Sequence, residues 1–355
     1  MSVFRIILII TFLPVFAFAD TGDSTRTKKV KIFPLPAFGY APETRWYIGA
    51  VGLFNIRFTD DTLVKPSTFE AEFNYTQNKQ VIITADFEMR FPKRNYLLLG
   101  ENGYFKFPEN YWGIGADTKD EDEIRIDANR IEIDNSLLKK QYFDVYTGLR
   151  FRYHRMDITD SGDPDFFFFH PDRYEATGGG LVFLHDSRDN PLNATTGIRA
   201  YFSATYFYNA TPQQGNFYRF DTDLRWYHAI SKNHVLAFHL NSGNTSGDVP
   251  VRMLPLLGNE NIMRGYYEGR YRDQHLTAIQ GEYRMKIWNW IGAVAFAGCG
   301  TVYDENAKLK SISLLPNYGT GLRIRLDKKD NINLRFDYGM GKNAEGFYVS
   351  FGEAF

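Results

Sequence analysis

The sequence predicts an all-β fold: a 16-stranded antiparallel transmembrane β-barrel in a bacterial outer membrane. Three observations predict it. The chain opens with an export signal but has no other apolar run of spanning length. Its segments alternate apolar and polar residues over unusually long stretches. Its connections alternate between very short and very long.

The opening residues, MSVFRIILIITFLPVFAFA, carry one charge at Arg5, then an apolar run, then Ala17-Phe18-Ala19. A charged start, an apolar middle and a small-x-small end form a secretory signal. Cleavage is expected after Ala19, so residues 1–19 are a signal peptide and residues 20–355 a single barrel domain. No later segment approaches the roughly 18 apolar residues of a spanning helix.

Alternation then places sixteen strands in order, near 30–40, 46–59, 67–77, 80–91, 95–107, 123–138, 141–155, 176–185, 197–208, 216–229, 234–242, 275–288, 292–303, 316–327, 330–340 and 345–355. In FYRFDTDLRWY, Tyr218, Phe220, Thr222, Leu224 and Trp226 share one face, and Arg219, Asp221, Asp223 and Arg225 the other. In VIITADFEMRF, Val81, Ile83, Ala85, Phe87, Met89 and Phe91 oppose Thr84, Asp86, Glu88 and Arg90. In LTAIQGEYRMKIW, Ile279, Tyr283, Met285 and Ile287 oppose Gln280, Glu282, Arg284 and Lys286. A period of two puts one set on lipid and the other in a polar lumen. These runs exceed the usual strand of about 5–6 residues and suit the roughly 9–11 tilted residues that cross a bilayer.

The connections fit the same picture. NK at 78–79, PKRN at 92–95 and KKDN at 328–331 are tight, whereas PENYWGIGADTKDEDE and DITDSGDPDFFFFHPDRYEATGG are long. Short turns on the periplasmic side and long loops outside are the outer-membrane arrangement. The Phe166–Phe169 run is expected to cap the barrel mouth or pack beneath its own loop.

Composition narrows the chemistry. There are 41 basic and 42 acidic residues in the chain; removal of Arg5 with the signal leaves a net charge of 40 − 42 = −2, which offers nothing to nucleic acid. Cys299 is the single cysteine and the seven histidines are scattered, so neither a disulfide nor a structural zinc site is expected, and no cofactor. No nucleophile elbow, metalloprotease helix or phosphate loop occurs, so the chain is not expected to be an enzyme. Its mean hydropathy of −0.37 and aromatic content of 17% suit a barrel, in which only alternate residues meet lipid, and equally a secreted soluble β-protein, so composition alone does not decide.

Two stretches stand out. LHDSRDNPLNATTGIRA (184–200) places Asp186, Arg188 and Asp189 before Asn190-Pro191, with Gly197 opening the next strand. It reads as a charged hairpin turn whose acids and arginine bond nearby backbone. NENIMRGYYEGRYRD (259–273) lies in a connection from about Ser242 to Gln274. Structureless loops of that length are uncommon and are usually functional or disordered. Its residues alone leave open a ligand loop, a solvated loop or a plug.

Asp186-Ser187-Arg188-Asp189-Asn190-Pro191 with Gly197, then Met263-Arg264-Gly265-Tyr266, then a final strand ending at Phe355, together resemble the BamA/TamA-type barrels, the bacterial surface antigen family. The resemblance covers most of the chain and is strongest over 180–355. KFPENYWGIG and RGYYEGRYRD look most like short members without N-terminal periplasmic (POTRA) domains. Such proteins are 16-stranded barrels that insert or translocate other proteins. The resemblance implies that the loop bearing Arg264, Gly265 and Tyr266 folds into the lumen, with Arg264 paired to Glu282 on the next strand. A second acid usually follows in Phe-x-Asp-x-Gly; here FAGCG keeps Phe296 and Gly300 but has Gly298 in the acid's place. The pairing is then expected to rest mainly on Glu282, helped by inward acids such as Asp337. The last strand, EGFYVSFGEAF, resembles the terminal insertion signal through Phe347, Val349, Phe351 and Phe355, with Glu353 interrupting its apolar face. The implied role is outer-membrane protein assembly or translocation; the alternative is a passive or gated pore, or a structural barrel. Implied partners are outer-membrane lipid, unfolded client barrels and a separate periplasmic protein.

Overall fold

A computed structural model describes residues 29–41, 45–59, 65–77, 79–91, 95–163, 171–211, 214–307 and 313–355. The expected signal peptide and the Phe166–Phe169 run lie outside the described residues.

Sixteen strands form one sheet in chain order: β1 (Lys29–Ala41), β2 (Arg45–Arg57), β3 (Ser67–Thr76), β4 (Val81–Phe91), β5 (Tyr96–Tyr111), β6 (Ile124–Tyr142), β7 (Val145–Ser161), β8 (Arg173–Asp186), β9 (Gly197–Asn209), β10 (Phe217–Ser231), β11 (His234–Gly247), β14 (His275–Lys286), β15 (Ile291–Tyr303), β16 (Leu315–Asp327), β17 (Ile332–Gly341) and β18 (Ala344–Phe351). The two-residue strands β12 (Leu256–Leu257) and β13 (Tyr271–Arg272) pair with each other inside the long loop. Each neighbour in the large sheet is antiparallel, as hairpin connections require. β5 and β6 run further than alternation suggested, because Tyr111 stays paired with Ile124 beyond the point where the sequence loses its period.

The two faces sort as the period dictates. On β10 the rings of Tyr218, Phe220 and Trp226 are exposed on the lipid side. Inside, Arg219 donates to Asp221 at 2.7 Å and Arg225 to Asp223 at 2.7 Å. Pairing offsets the cost of holding charges away from bulk water.

Among the described residues, β1 and β18 share no ladder. Side chains join these sheet ends at the periplasmic rim. Lys31 Nζ lies 2.7 Å from both Asp327 and Asp330, and Arg57 reaches Asp330 at 2.6 Å. Beside them Leu53, Ile332 and Phe351 pack with Phe33, Leu35, Val51 and Leu192. The cylinder is therefore a paired sheet with one seam held by side chains.

Candidate functional site

The loop between β11 and β14, residues 248–274, folds back into the barrel. A single turn at Val251–Met253 and the β12–β13 ribbon give it a stem. Asn259 Oδ1 then accepts from the amides of Asn261 (2.8 Å) and Ile262 (2.9 Å), which tightens the approach to the tip.

At the tip the Arg264 guanidinium is fully buried. It donates to Glu282 on β14 through Nη2 and to Asp337 on β17 through Nη1, and lies 3.6 Å above the Phe296 ring centroid. The structure thus brings together Arg264, Glu282 and Asp337. Four further contacts close a ring of alternating charge. Asp337 meets Arg323 at 2.5 Å, Arg323 meets Glu353 at 2.7 Å, Glu353 lies 3.8 Å from Arg284, and Arg284 meets Glu282 at 2.8 Å. Three arginines and three carboxylates so pair within a buried site, with Arg335, itself 3.1 Å from Glu260, lying 3.9 Å from Asp337 beside the ring; pairing of this kind is the condition under which a buried ion cluster is tolerated.

Backbone fit completes the tip. Gly265 has φ +107°, and a Cβ there would fall 2.8 Å from the Gly339 and Met340 backbone, so no larger residue approaches β17 so closely. Gly265 N donates to the Tyr348 hydroxyl on β18 at 3.0 Å. The Tyr266 hydroxyl donates to Pro316 O at 2.7 Å and accepts from Lys342 N at 2.8 Å. The tip is thus fastened to β16, β17 and β18, the strands leading to the seam.

Gly298 has a physical explanation. A Cβ at 298 would run into the Ile279 carbonyl oxygen and lie 2.7 Å from Asn317 Oδ1, so the neighbouring strand and Asn317 together fill the space a side chain would need. Asn317 Nδ2 donates to Gln280 Oε1 at 2.9 Å and to Arg264 O at 3.2 Å, and Gln280 Oε1 accepts from Met263 N at 3.2 Å. Two neutral amides hold the tip backbone, and the second carboxylate on Arg264 comes from Asp337. Restoring the acid is therefore expected to harm: Gly298→Asp overpacks against Asn317 and Gln280, at a cost of about 1–3 kcal/mol. The temperature at which the folded form converts to the slower-migrating unfolded form on gels should fall. A variant as stable as the parent would show that the amide pair yields freely.

Sequence reasoning missed the loop's second anchorage. Arg252 and Arg272 flank Glu109 of β5 at 2.8 and 3.5 Å, and Arg130 of β6 reaches the same carboxylate at 3.0 Å. Arg270 donates to Asp120 at 2.9 Å and stacks over Trp112 and Tyr271. The arginine repeat in RGYYEGRYRD was visible, but no period links it to Glu109.

The 187–196 turn closes the periplasmic floor. Asp186 accepts from Arg188 Nε at 3.0 Å and from Arg90 Nη2 of β4 at 2.9 Å, and Lys65 Nζ lies 3.3 Å from it. Burial opposes the charge on Arg188, but Asp186 and Glu88 outweigh it and hold its pKa well above the ordinary range. Asp189 caps the amides of Thr195 and Thr196. Asn190 Oδ1 accepts from Leu192 and Asn193, while its Nδ2 crosses the barrel to Asp330 O at 2.7 Å. Gly197 opens β9, whose first pair is with Tyr227.

The terminal strand needs a correction. Phe347 and Val349 are exposed on the outer face, but Phe351 and Phe355 are buried. β18 ends at Phe351, and Gly352 (φ +74°) turns the chain into the barrel. Phe351 joins the seam cluster, while Phe355 packs on Tyr227 and on His239, at 4.8 Å for the latter ring. Arg284 donates to Phe355 O at 2.9 Å. Glu353 does not interrupt an outward face, because it points to Arg323 and Asn333 inside.

The fold matches known barrels. BamA from Haemophilus ducreyi lacking POTRA domains 1–3 superposes with a TM-score of 0.56 at 11% identity, over 92% of this chain and 70% of that one. CdiB from Escherichia coli gives 0.56 at 11% identity over 91% of this chain, and CdiB from Acinetobacter baumannii gives 0.53 at 11% over 92%. The chain spans 61% and 65% of the two CdiB chains, less than two thirds of either. No curated protein matches its sequence. The model of the Omp85 superfamily domain matches residues 53–355. An open-seamed sixteen-strand sheet, a loop held in its lumen and this match together identify the chain as a member of the Omp85 superfamily, a β-barrel of the outer membrane.

Proposed function

We propose that this barrel assists the insertion or translocation of other outer-membrane proteins through its β1–β18 seam. The observation that carries the reading is the absence of a β1–β18 ladder among the described residues, where side chains join the ends instead. Two strand edges with free backbone groups are templates for an incoming strand. Lys31 and Arg57 keep part of their side chains in solvent while Asp330 is buried between them, and these few contacts stand in place of a full backbone ladder. The loop tip fastens to β16, β17 and β18, and so braces one side of the seam. The resemblance to BamA/TamA-type barrels favours the same role. Clients would be unfolded barrel proteins, delivered by a separate periplasmic partner.

A gated pore is the second reading, and one observation favours it. The lumen holds a cavity of about 660 Å³ whose lining includes Glu70, Asp86, Glu101, Arg199 and Arg219. Depletion of the protein followed by outer-membrane proteomics separates the two. Assembly predicts a broad fall in other barrels. Unchanged barrel levels with loss of one solute's uptake would overturn assembly and leave the pore.

A further inference from the structure

The two strand edges that meet at the seam are not equivalent. β1 reads KVKIFPLPAFGYA, with Pro34 and Pro36 two residues apart. Proline has no N–H, and residues two apart in a strand turn their backbone groups to the same side. The register decides which side that is. Trp46 O of β2 accepts from Gln77 N at 2.8 Å, so the even-numbered residues of β2 bond toward β3. Their partners on β1 are also even-numbered, Pro34 opposite Gly52 and Pro36 opposite Ala50, and these turn away from β2. The β1–β2 pairing accordingly runs unbroken from Lys29 to Ala41 through both prolines. Both ring nitrogens therefore face the seam, and the free edge of β1 lacks two successive donors.

β18, AEGFYVSF, has no proline. Gly352 N donates to Asn333 O at 2.8 Å, so the even-numbered residues of β18 bond toward β17. Glu345, Phe347, Val349 and Phe351 then turn N–H and C=O groups to the seam, and all four keep their donors. Phe351 shares a buried cluster with Phe33 and Leu35, the residues on either side of Pro34. The missing donors of β1 thus lie level with the periplasmic end of β18. A β1–β18 ladder would lose its bonds there, because proline on an edge blunts pairing.

We propose that the seam takes a partner strand on β18 and not on β1. The partner is an extended segment of another outer-membrane chain, bound by backbone hydrogen bonds to Glu345, Phe347, Val349 and Phe351. Its direction follows from the sheet. β17 rises from the periplasmic turn 328–331, so β18 descends and β1 ascends. Neighbours in this sheet are antiparallel, so the captured segment ascends, in the direction of β1. Its alternate apolar side chains lie beside Phe347 and Val349 on the outer face. Pro34 and Pro36 serve this by keeping β1 from closing on β18. The inference rests on the assembly reading above and adds to it the edge used and the polarity of the strand received.

The test reconstitutes the full-length protein in liposomes and adds a small urea-unfolded outer-membrane barrel protein as probe. The photo-crosslinker p-benzoylphenylalanine replaces Phe347 or Val349 on β18, or Val30 or Ile32 on β1, all four exposed on the outer face. Capture from β18 should exceed capture from β1 about tenfold, the effect of two missing backbone hydrogen bonds. The crosslinked peptide should map to an ascending strand of the probe. Pro34→Val combined with Pro36→Val supplies both donors and lets β1 pair with β18, so capture from β18 should fall on the order of 10-fold. If that variant fails to fold, as read by gel mobility before and after heating, the comparison of the two edges in the parent decides alone. Capture from β1 equal to or above that from β18, crosslinks to a descending strand, or capture from β18 unchanged in the folded double variant would each overturn the inference and leave assembly standing. No capture from either edge would remove assembly and this inference with it.

Discussion

Arg264→Ala is expected to destabilise the barrel by about 3–5 kcal/mol and to free the loop tip. The reason is local charge balance. Glu282 and Asp337 are shielded from solvent, and the ring holds three positive and three negative groups. Without Arg264 the ring carries one excess negative charge that water does not reach. Glu282 keeps Arg284 and Asp337 keeps Arg323, which places the cost at the lower end of that range. Arg264→Lys should fall between parent and alanine, because one ammonium does not match the two-pronged geometry that spans β14 and β17. Adding Asp337→Asn to Arg264→Ala restores charge balance, so the double variant should be more stable than the single one. The readouts are the temperature of the heat-induced gel shift and single-channel conductance in planar bilayers, which should rise as the tip leaves the lumen. Parent-like values for both, in the single and double variants, would mean that the ring does not hold the loop.

Asp186→Ala should have a comparable effect from the opposite end of the barrel. One carboxylate, 1% exposed, answers Arg188, Arg90 and Lys65. Removing it leaves three cations with Glu88 as the nearby acid, again a loss of about 3–5 kcal/mol. The floor turn should loosen with it, since Asn190 and Leu192 of that turn reach Asp330 and the seam cluster. Hydrogen exchange over 187–196 should accelerate, and conductance should rise. A pH dependence follows as well. Burial, with Arg90 and Arg188 adding to it, holds the Lys65 ammonium below its usual range, and Asp186 counteracts them. A lysine with a lowered folded pKa binds more protons when unfolded, so stability rises with pH as the ordinary lysine range is approached. Without Asp186 that slope should steepen. Asp186→Asn keeps an acceptor but no charge and should be intermediate; if it matches alanine, charge alone decides. Unchanged exchange and stability in Asp186→Ala would remove the floor turn from the account of closure.

The two variants probe linked parts of the molecule. The charge ring runs from the loop tip at Arg264 to Glu353 in the terminal tail, and Arg284 of that ring also holds Phe355 O. The floor turn touches the same tail, since Glu353 N donates to Leu192 O at 2.8 Å. Loop, floor and tail meet on β14–β18, the side of the barrel that ends at the seam.

Much of this was legible in the sequence because strand geometry is repetitive. A side-chain period of two assigns Tyr218 and Arg219 to opposite faces with no knowledge of neighbours, and strand length reports a bilayer crossing. The same parity placed Glu282 and Asp337 inside. Partner choice was not legible. Arg264 and Asp337 are 73 residues apart, and only the curvature of the sheet brings β17 under the loop. Nor did spacing explain Gly298, whose missing side chain is answered by Asn317 and Gln280 from two other strands.

The sequence by itself determined an all-β outer-membrane chain, the number and faces of its strands, and the loop that carries Arg264. The tertiary structure alone decided which carboxylates close on that arginine. It also decided that Glu109 anchors the loop stem, and that Phe351 and Phe355 turn inward instead of continuing an outer face. The physical reason is the range of the interactions. Alternation and turn chemistry act within a few residues and leave a written pattern. Buried ion pairs and the end of a strand depend on groups from distant segments, which meet only when the sheet curls around its lumen.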